Sequence, residues 1–163
     1  RIVLGNELPK WIAGMSNSIT YKNWDFSIFV YTRQGVQFKN GMLSGSFGEI
    51  NSNRYNKLNL NYWTATNPTN DYFGVWQSNP YREAIQYKDA SFVRISNITF
   101  GYTLPKTILN NLKFANLRCY FQIDNPFVFT KDNNIWMDPE FNSSVYTDDV
   151  PYANYIFGVN LSF

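Results

Sequence analysis

At 163 residues the chain carries 14 basic and 12 acidic side chains, and a net charge of +2 is too small and too evenly spread for a nucleic-acid footprint. It has no His and a single Cys, which excludes His-dependent triads, His- or Cys-based zinc sites and an internal disulfide framework. Aromatics reach 19% and charged residues only 16%, and no window approaches the roughly 18 apolar residues of a membrane helix; membrane β-strands, which need only about 10 alternating residues, escape that test.

Period-two alternation marks five strands. The first, 11–21, places Trp11, Ala13, Met15, Ile19 and Tyr21 on one face and Gly14, Ser16, Ser18 and Thr20 on the other. Lys22-Asn23 then reads as a two-residue hairpin connection, with Asn where a positive φ is needed. The second, 24–33, groups Trp24, Phe26, Ile28 and Val30 against Asp25, Ser27, Phe29, Tyr31 and Arg33. Residues 34–90 are rich in Gly, Asn, Ser and Tyr and show no sustained period, which counts against a compact soluble domain.

The third strand spans 92–104. Its apolar set changes parity between Val93/Ile95 and Ile98/Phe100/Tyr102/Leu104, so a β-bulge is expected at Ser96-Asn97. Pro105 with Ile108, Leu109 and Leu112 predicts one short helical turn. The fourth strand, 117–125, sets Leu117, Cys119, Phe121 and Ile123 against Arg118, Tyr120, Gln122 and Asp124; Asn125-Pro126 is expected to end it. After a second aperiodic loop, 131–153, the fifth strand alternates Tyr155, Phe157, Val159, Leu161 and Phe163 with Ile156, Gly158, Asn160 and Ser162.

An alternating strand buries its apolar face against another sheet or against lipid. Lipid is favoured by aromatic residues at strand ends (Trp11, Tyr21, Trp24, Tyr102, Tyr155), by a polar face of Gly, Ser, Thr and Asn, and by connections that alternate short, long, medium, long. In outer-membrane barrels the short turns are periplasmic, so strands one, three and five run inward and Phe163 ends on the periplasmic side. Five strands cannot close such a barrel, whose smallest examples have about eight. The membrane reading therefore makes this chain the C-terminal part of a larger all-β transmembrane barrel. Two alternatives stay open: a soluble, secreted glycan-binding β-sandwich, and a multi-chain barrel to which each subunit donates a few strands.

Several segments resemble SusC/RagA-type TonB-dependent outer-membrane transporters. They are Leu8-Pro9-Lys10-Trp11 with Gly14, Tyr21-Lys22-Asn23-Trp24-Asp25-Phe26, the stretch from Tyr62-Trp63 through Asn67-Pro68 to Asn70, and that from Ala90-Ser91-Phe92 to Leu104-Pro105. Gln122-Ile123-Asp124-Asn125-Pro126-Phe127, Asp138-Pro139-Glu140 and the terminal Gly158 to Phe163 continue the resemblance in order along the chain. Ala65 and Pro126 depart from the family's usual residues. The resemblance implies a single-chain barrel of about 22 strands filled by a plug that lies outside this sequence. It further implies import of oligosaccharides or peptides across the outer membrane of Bacteroidota, energy from TonB acting through the plug, and a SusD-like lipoprotein as lid.

Candidate site residues follow. Tyr62 and Trp63 have faces suited to stacking on sugar rings, although a self-packed loop anchored by Trp63 and Pro68 suits them better. Arg94, Arg118 and Asp124 fall on the lumenal face, where they contact substrate or plug or, more simply, pair with neighbouring strands. Tyr155, Phe157, Val159, Leu161 and the terminal Phe163 form the expected signal for the barrel-assembly machinery, read by edge pairing. Neither Asp138 with Glu140 nor Asp148 with Asp149 has a sequence setting that fixes the carboxylate geometry of a glycosidase. Asp132-Asn133-Asn134 with Asp138 lacks the Gly of a calcium loop. No catalytic residue, metal ligand or cofactor is expected, and Cys119 is expected to face lipid as a small hydrophobe.

Overall fold

The computed structural model describes residues 5–40, 60–74, 82–112, 114–132, 138–140 and 152–163. Its main element is a five-stranded antiparallel sheet of β1 (Trp11–Tyr21), β2 (Trp24–Gln34), β5 (Phe92–Thr103), β6 (Asn116–Thr130) and β7 (Asn154–Ser162). Each strand pairs with the next one in this up-and-down order. Between β2 and β5 lie β3 (Gln37–Lys39), α1 (Arg82–Ile85) and β4 (Tyr87–Asp89); α2 (Lys106–Leu112) joins β5 to β6.

The registers carry the apolar alternation straight across the sheet. Met15 faces Val30, Val30 faces Ile95 and Ile95 faces Phe127. Lower down, Ile19 pairs with Phe26, Phe26 with Phe100, Phe100 with Phe121 and Phe121 with Phe157. One face of all five strands is thus apolar, with Asn17, Thr32 and Gln34 as polar interruptions. Its side chains stand in the open: Met15, Ile19, Trp24, Phe100, Phe127, Phe157 and Val159 are all exposed. Cys119 is part of the same face, opposite Tyr102 and Val159, and is a free, exposed thiol. Among the described residues no second sheet packs on this face; the two-stranded β3–β4 sheet is the only other one.

Three local features explain how the alternation survives. The register slips between Ile95 and Asn97, so Ser96 is the extra residue of the expected bulge and restores the apolar parity beyond it. Opposite it, Asn125 adopts a left-handed φ of 52°, and β6 continues to Thr130 instead of ending at residue 125. Pro126 is tolerated because it falls within this irregularity, and because β7 pairs with β6 only as far as Asp124, leaving no ladder bond for a proline to break. In the β1–β2 turn the positive φ belongs to Lys22, at 55°, rather than to Asn23. Asn23 instead closes the neighbouring strand end: its Nδ2 donates to the Thr103 carbonyl at 2.9 Å and its own carbonyl accepts from Thr103 N at 2.8 Å.

The 34–90 connection holds more order than its composition predicts. Gly35, at φ 72°, bends the chain out of the main sheet, and β3 then pairs with β4 so that the β2–β5 ladder is prolonged beyond the bend. Val36, Phe38 and Ala90 are buried together there, and Ala90 N donates to Val36 O at 2.9 Å. The helical turn expected after Pro105 is α2, whose first amides, Ile108 and Leu109, donate to the Pro105 carbonyl; Leu109 is buried.

Candidate functional site

Opposite the apolar face lies a face of hydroxyls, amides and ion pairs. Asp25 and Arg118 belong to strands that are not neighbours, yet Arg118 Nε and Nη2 donate to the Asp25 carboxylate at 2.9 and 2.5 Å. They meet across β5 at Gly101, which is the register partner of Asp25. A Cβ at Gly101 would collide with both the Asp25 carboxylate and the Arg118 guanidinium, so the absent side chain makes the bridge possible. Tyr120 uses Gly158 in the same way, laying its ring over the β7 backbone, with the Arg118 guanidinium 5.2 Å from its centroid. Further along, Asn97 Nδ2 and Gln122 Nε2 both donate to Asp124 Oδ1, at 2.6 and 2.9 Å.

Arg94 forms a second centre near the bend into β3–β4. Its Nη2 donates to both Asp138 oxygens at 2.6 and 2.7 Å and lies 2.9 Å from Glu140 Oε2. The Arg94 and Asp138 side chains are 6% and 5% exposed, whereas Glu140 is 34% exposed. The guanidinium also sits 5.4 Å from the Phe92 centroid. Glu140 N donates to Asp138 Oδ1 at 2.9 Å, closing the turn at Pro139. Nearby, Lys131 Nζ donates to Asp89 Oδ2 at 2.6 Å. Burial raises the Asp89 carboxyl, but hydrogen bonds from Lys131 and Ser91 together with the Lys131 charge outweigh it and hold the group below its ordinary value. The Asp89 hydrogen bond in turn raises Lys131.

Tyr62 and Trp63 lie in a loop that ties itself together. Asn61 Nδ2 donates to Asp71 Oδ2 at 2.6 Å, Asn67 Nδ2 donates to Asn61 Oδ1 at 2.9 Å, and Thr64 and Asn67 exchange backbone bonds at 3.1 Å. Tyr62 pairs with Tyr72, which is buried under Lys88 at 5.2 Å from its ring centroid. Both Tyr62 and Trp63 keep exposed ring surface.

The structure does not gather the candidate binding residues into one pocket. Arg94 and Arg118 face opposite ends of β5, next to Tyr31 and Thr103 respectively, on the order of 25–30 Å apart at 3.3 Å per residue. The sequence reading missed their partners Asp25, Asp138 and Glu140 as a set. A glycine on the polar face between an acidic and a basic strand was the available signal for the first. In β7, Tyr155, Phe157, Val159 and Leu161 project from the apolar face, and Phe163 follows the strand at 91% exposure. Its ring lies edge-on to Phe114 at 5.9 Å. Among the described residues no group of three or more His, Cys, Asp or Glu is placed to hold a metal ion. Asn133, Asn134, Asp148 and Asp149 lie outside the described residues.

An up-and-down antiparallel sheet with one apolar and one polar face, whose outer strands β1 and β7 each pair with one strand only among the described residues, has the geometry of a segment of β-barrel wall. No family model matches the sequence. Over all of its length the chain is 27% identical to TonB-dependent receptor P3 of Formosa agariphila, and over 93% of its length 27% identical to TonB-dependent receptor SusC of Bacteroides thetaiotaomicron. It spans only 17% and 15% of those two receptors. Its fold matches the RagAB peptide importer in the closed-closed state with a TM-score of 0.75, at 23% identity, over 99% of this chain and 18% of that one. The open-open state gives a TM-score of 0.72, at 24% identity, over 95% of this chain and 17% of that one. The chain is therefore similar, along its whole length, to a part of SusC-type TonB-dependent receptors.

Proposed function

We propose that this chain is the C-terminal wall of a TonB-dependent transporter in the bacterial outer membrane, importing oligosaccharides or peptides for nutrient uptake. The observation that carries this reading is the apolar ladder, continuous across five strands and opposed by a polar, ion-paired face. In a bilayer the ladder faces lipid and the polar face lines the lumen. The outer edges of β1 and β7, which have no strand partner among the described residues, join the remaining strands, because an open edge in lipid leaves backbone groups unsatisfied at several kcal/mol each. The plug and its TonB-binding segment lie elsewhere in the whole receptor, and a SusD-like lipoprotein caps the outer loops.

In this arrangement the Lys22-Asn23 turn and Phe163 are periplasmic, while 34–90 and 131–153 are outer loops. Arg94 pins the second loop to the wall through Asp138, and the Tyr62–Asp71 network holds the first in shape. Tyr62 and Trp63 act chiefly as part of that scaffold, with exposed ring surface left for a ligand. The terminal strand, ending at Phe163, presents its free edge to the barrel-assembly machinery.

Membrane extraction followed by denaturing intact mass tests the proposal. A detergent-requiring receptor of several times this length, ending in this sequence, is the expected result. A 19.1 kDa species soluble without detergent would revive the sandwich. Deleting Phe163 from the full receptor is expected to lower the amount of assembled barrel, and unchanged levels would remove the signal role.

A further inference from the structure

The middle of the polar face lies between the ion pairs that mark its two ends. Within the five strands the charged residues are Asp25, Arg33, Arg94, Arg118 and Asp124. Arg118 holds Asp25 towards the β1–β2 turn. Arg94 is held by Asp138 and Glu140 towards the loops, with Arg33 one row further out, opposite Phe92. Between these pairs one row runs Ser16–Phe29–Asn97–Asp124, and the next contains Ser27, Thr99 and Gln122. Hydroxyls and amides dominate this band, and Asp124 is its one ionisable group.

Phe29 stands out in that company, being 38% exposed on a face otherwise polar. Its Cε2 and Cζ lie 3.3 and 3.4 Å from where a Cβ on Gly14 would stand, so the bare glycine lets the ring lean over β1, away from Asn97. Tyr31 packs on Phe92 and Tyr120 on the Arg118 guanidinium; among the described residues Phe29 has no such partner. On its other side, Asn97 Nδ2 and Gln122 Nε2 both donate to Asp124 Oδ1, and Thr99 Oγ1 donates to Asn97 Oδ1 at 2.9 Å. Asp124 Oδ2 accepts no hydrogen bond among the described residues. The Ser96 bulge and the left-handed Asn125 adjoin this row, and such irregularities re-aim neighbouring side chains. Register partners on one face stand about 5 Å apart at Cβ, so Asp124 lies about 10 Å from Phe29 across the sheet.

We infer that this band is a sugar-binding subsite of the lumen wall: one ring of a neutral oligosaccharide stacks on Phe29, and a hydroxyl of a following unit donates to Asp124 Oδ2. The inference rests on the transporter reading above and selects the oligosaccharide from its two substrate classes. An aromatic face suits the C–H face of a sugar, and a carboxylate oxygen accepts a hydroxyl hydrogen in a charge-assisted bond. Two or three sugar units cover the roughly 10 Å between the two groups. A peptide would need partners for its terminal charges, and the pairs that flank the band are already committed to each other.

The test applies the native receptor, purified in detergent with its copurifying subunits, to an array of neutral oligosaccharides, and then titrates a retained one by calorimetry. Phe29→Leu keeps an apolar side chain but removes the ring face, and is expected to weaken binding about fivefold. Asp124→Asn keeps an acceptor for Asn97 and Gln122 but removes the charge, and is expected to weaken it about tenfold. Both variants should unfold at the parent's temperature, and Met15→Leu, on the opposite face, should leave binding unchanged. Retention of no neutral glycan, or of peptides alone from a parallel peptide array, overturns the inference. Parent-like affinity in both variants overturns it as well, as does an equal loss from Met15→Leu. Lower thermal stability of Phe29→Leu with unchanged affinity would assign the ring to packing against the rest of the receptor, which also overturns it. A protein that needs no detergent would instead defeat the transporter reading itself, and would show this before any glycan is added.

Discussion

Arginine scanning along β1 separates a lipid-facing strand from one packed on a second sheet. Trp11 and Tyr21 bound the strand. Ten residue steps at 3.3 Å, tilted about 40°, span about 25 Å along the membrane normal, the height of an outer-membrane apolar band. Met15 falls near the middle of that band, and Tyr21 lies roughly 15 Å further along, at its rim. Met15→Arg is therefore expected to destabilise by about 2–4 kcal/mol, Tyr21→Arg by about 0–1, and Ser16→Arg, on the polar face, by little. The first figure corresponds to a shift of roughly 30- to 900-fold in the unfolding equilibrium. Guanidinium unfolding of the full receptor from lipid vesicles reads all three. Ser16→Arg costing as much as Met15→Arg would refute the assignment of faces. Equal costs at Met15 and Tyr21 would refute the bilayer, because a protein core has no such depth profile.

Three further outcomes follow from the polar face and the rim. Gly101→Val places a branched side chain where Asp25 and Arg118 meet; it should break that pair and lower the unfolding midpoint, whereas Asp25→Asn, which removes the charge but not the space, should cost about 1 kcal/mol or less. Asp138→Ala leaves the Arg94 charge buried with Glu140 alone, so about 2–3 kcal/mol is expected, below the 3–5 of a fully orphaned partner; adding Arg94→Met should recover part of the loss in the same unfolding assay. The Asp89 carboxyl is held below its ordinary value of 3.8, so its contribution is complete above about pH 4 and disappears as pH falls through the lower folded value. Stability of the full receptor to chemical unfolding should accordingly lose this contribution only under strongly acidic conditions, and Asp89→Asn should abolish that part of the pH dependence.

The faces of the strands were legible because side-chain direction repeats every two residues, and the Ser96 bulge was legible as a change of parity. Pro126 misled because a proline's missing donor matters only where the ladder needs one, and the end of the β6–β7 pairing is not written locally. Lys22 was misassigned for a related reason: the preference of Asn for left-handed φ is a tendency that the register of β1 and β2 overrides. The Asp25–Arg118 and Arg94–Asp138 bridges connect residues 93 and 44 positions apart. Sequence showed each charge on its face, but not which strand lay between them. The β3–β4 pair escaped notice because three residues per strand are too few to display a period.

The uneven spacing of the strands along the chain has a kinetic consequence. β1 and β2 are joined by two residues and can pair at once, and β5 and β6 are separated by a short helix; β2 must find β5 across residues 35–91. Loop-closure entropy makes that last encounter about 1–2 kcal/mol more costly than joining β5 to β6. Two preformed hairpins therefore zip together late, and the short β3–β4 ladder, which continues the β2–β5 line beyond Gly35, holds the seam from its outer end. Substitutions in Val36, Phe38 or Ala90 should then slow completion of the sheet more than equally disruptive changes within β1.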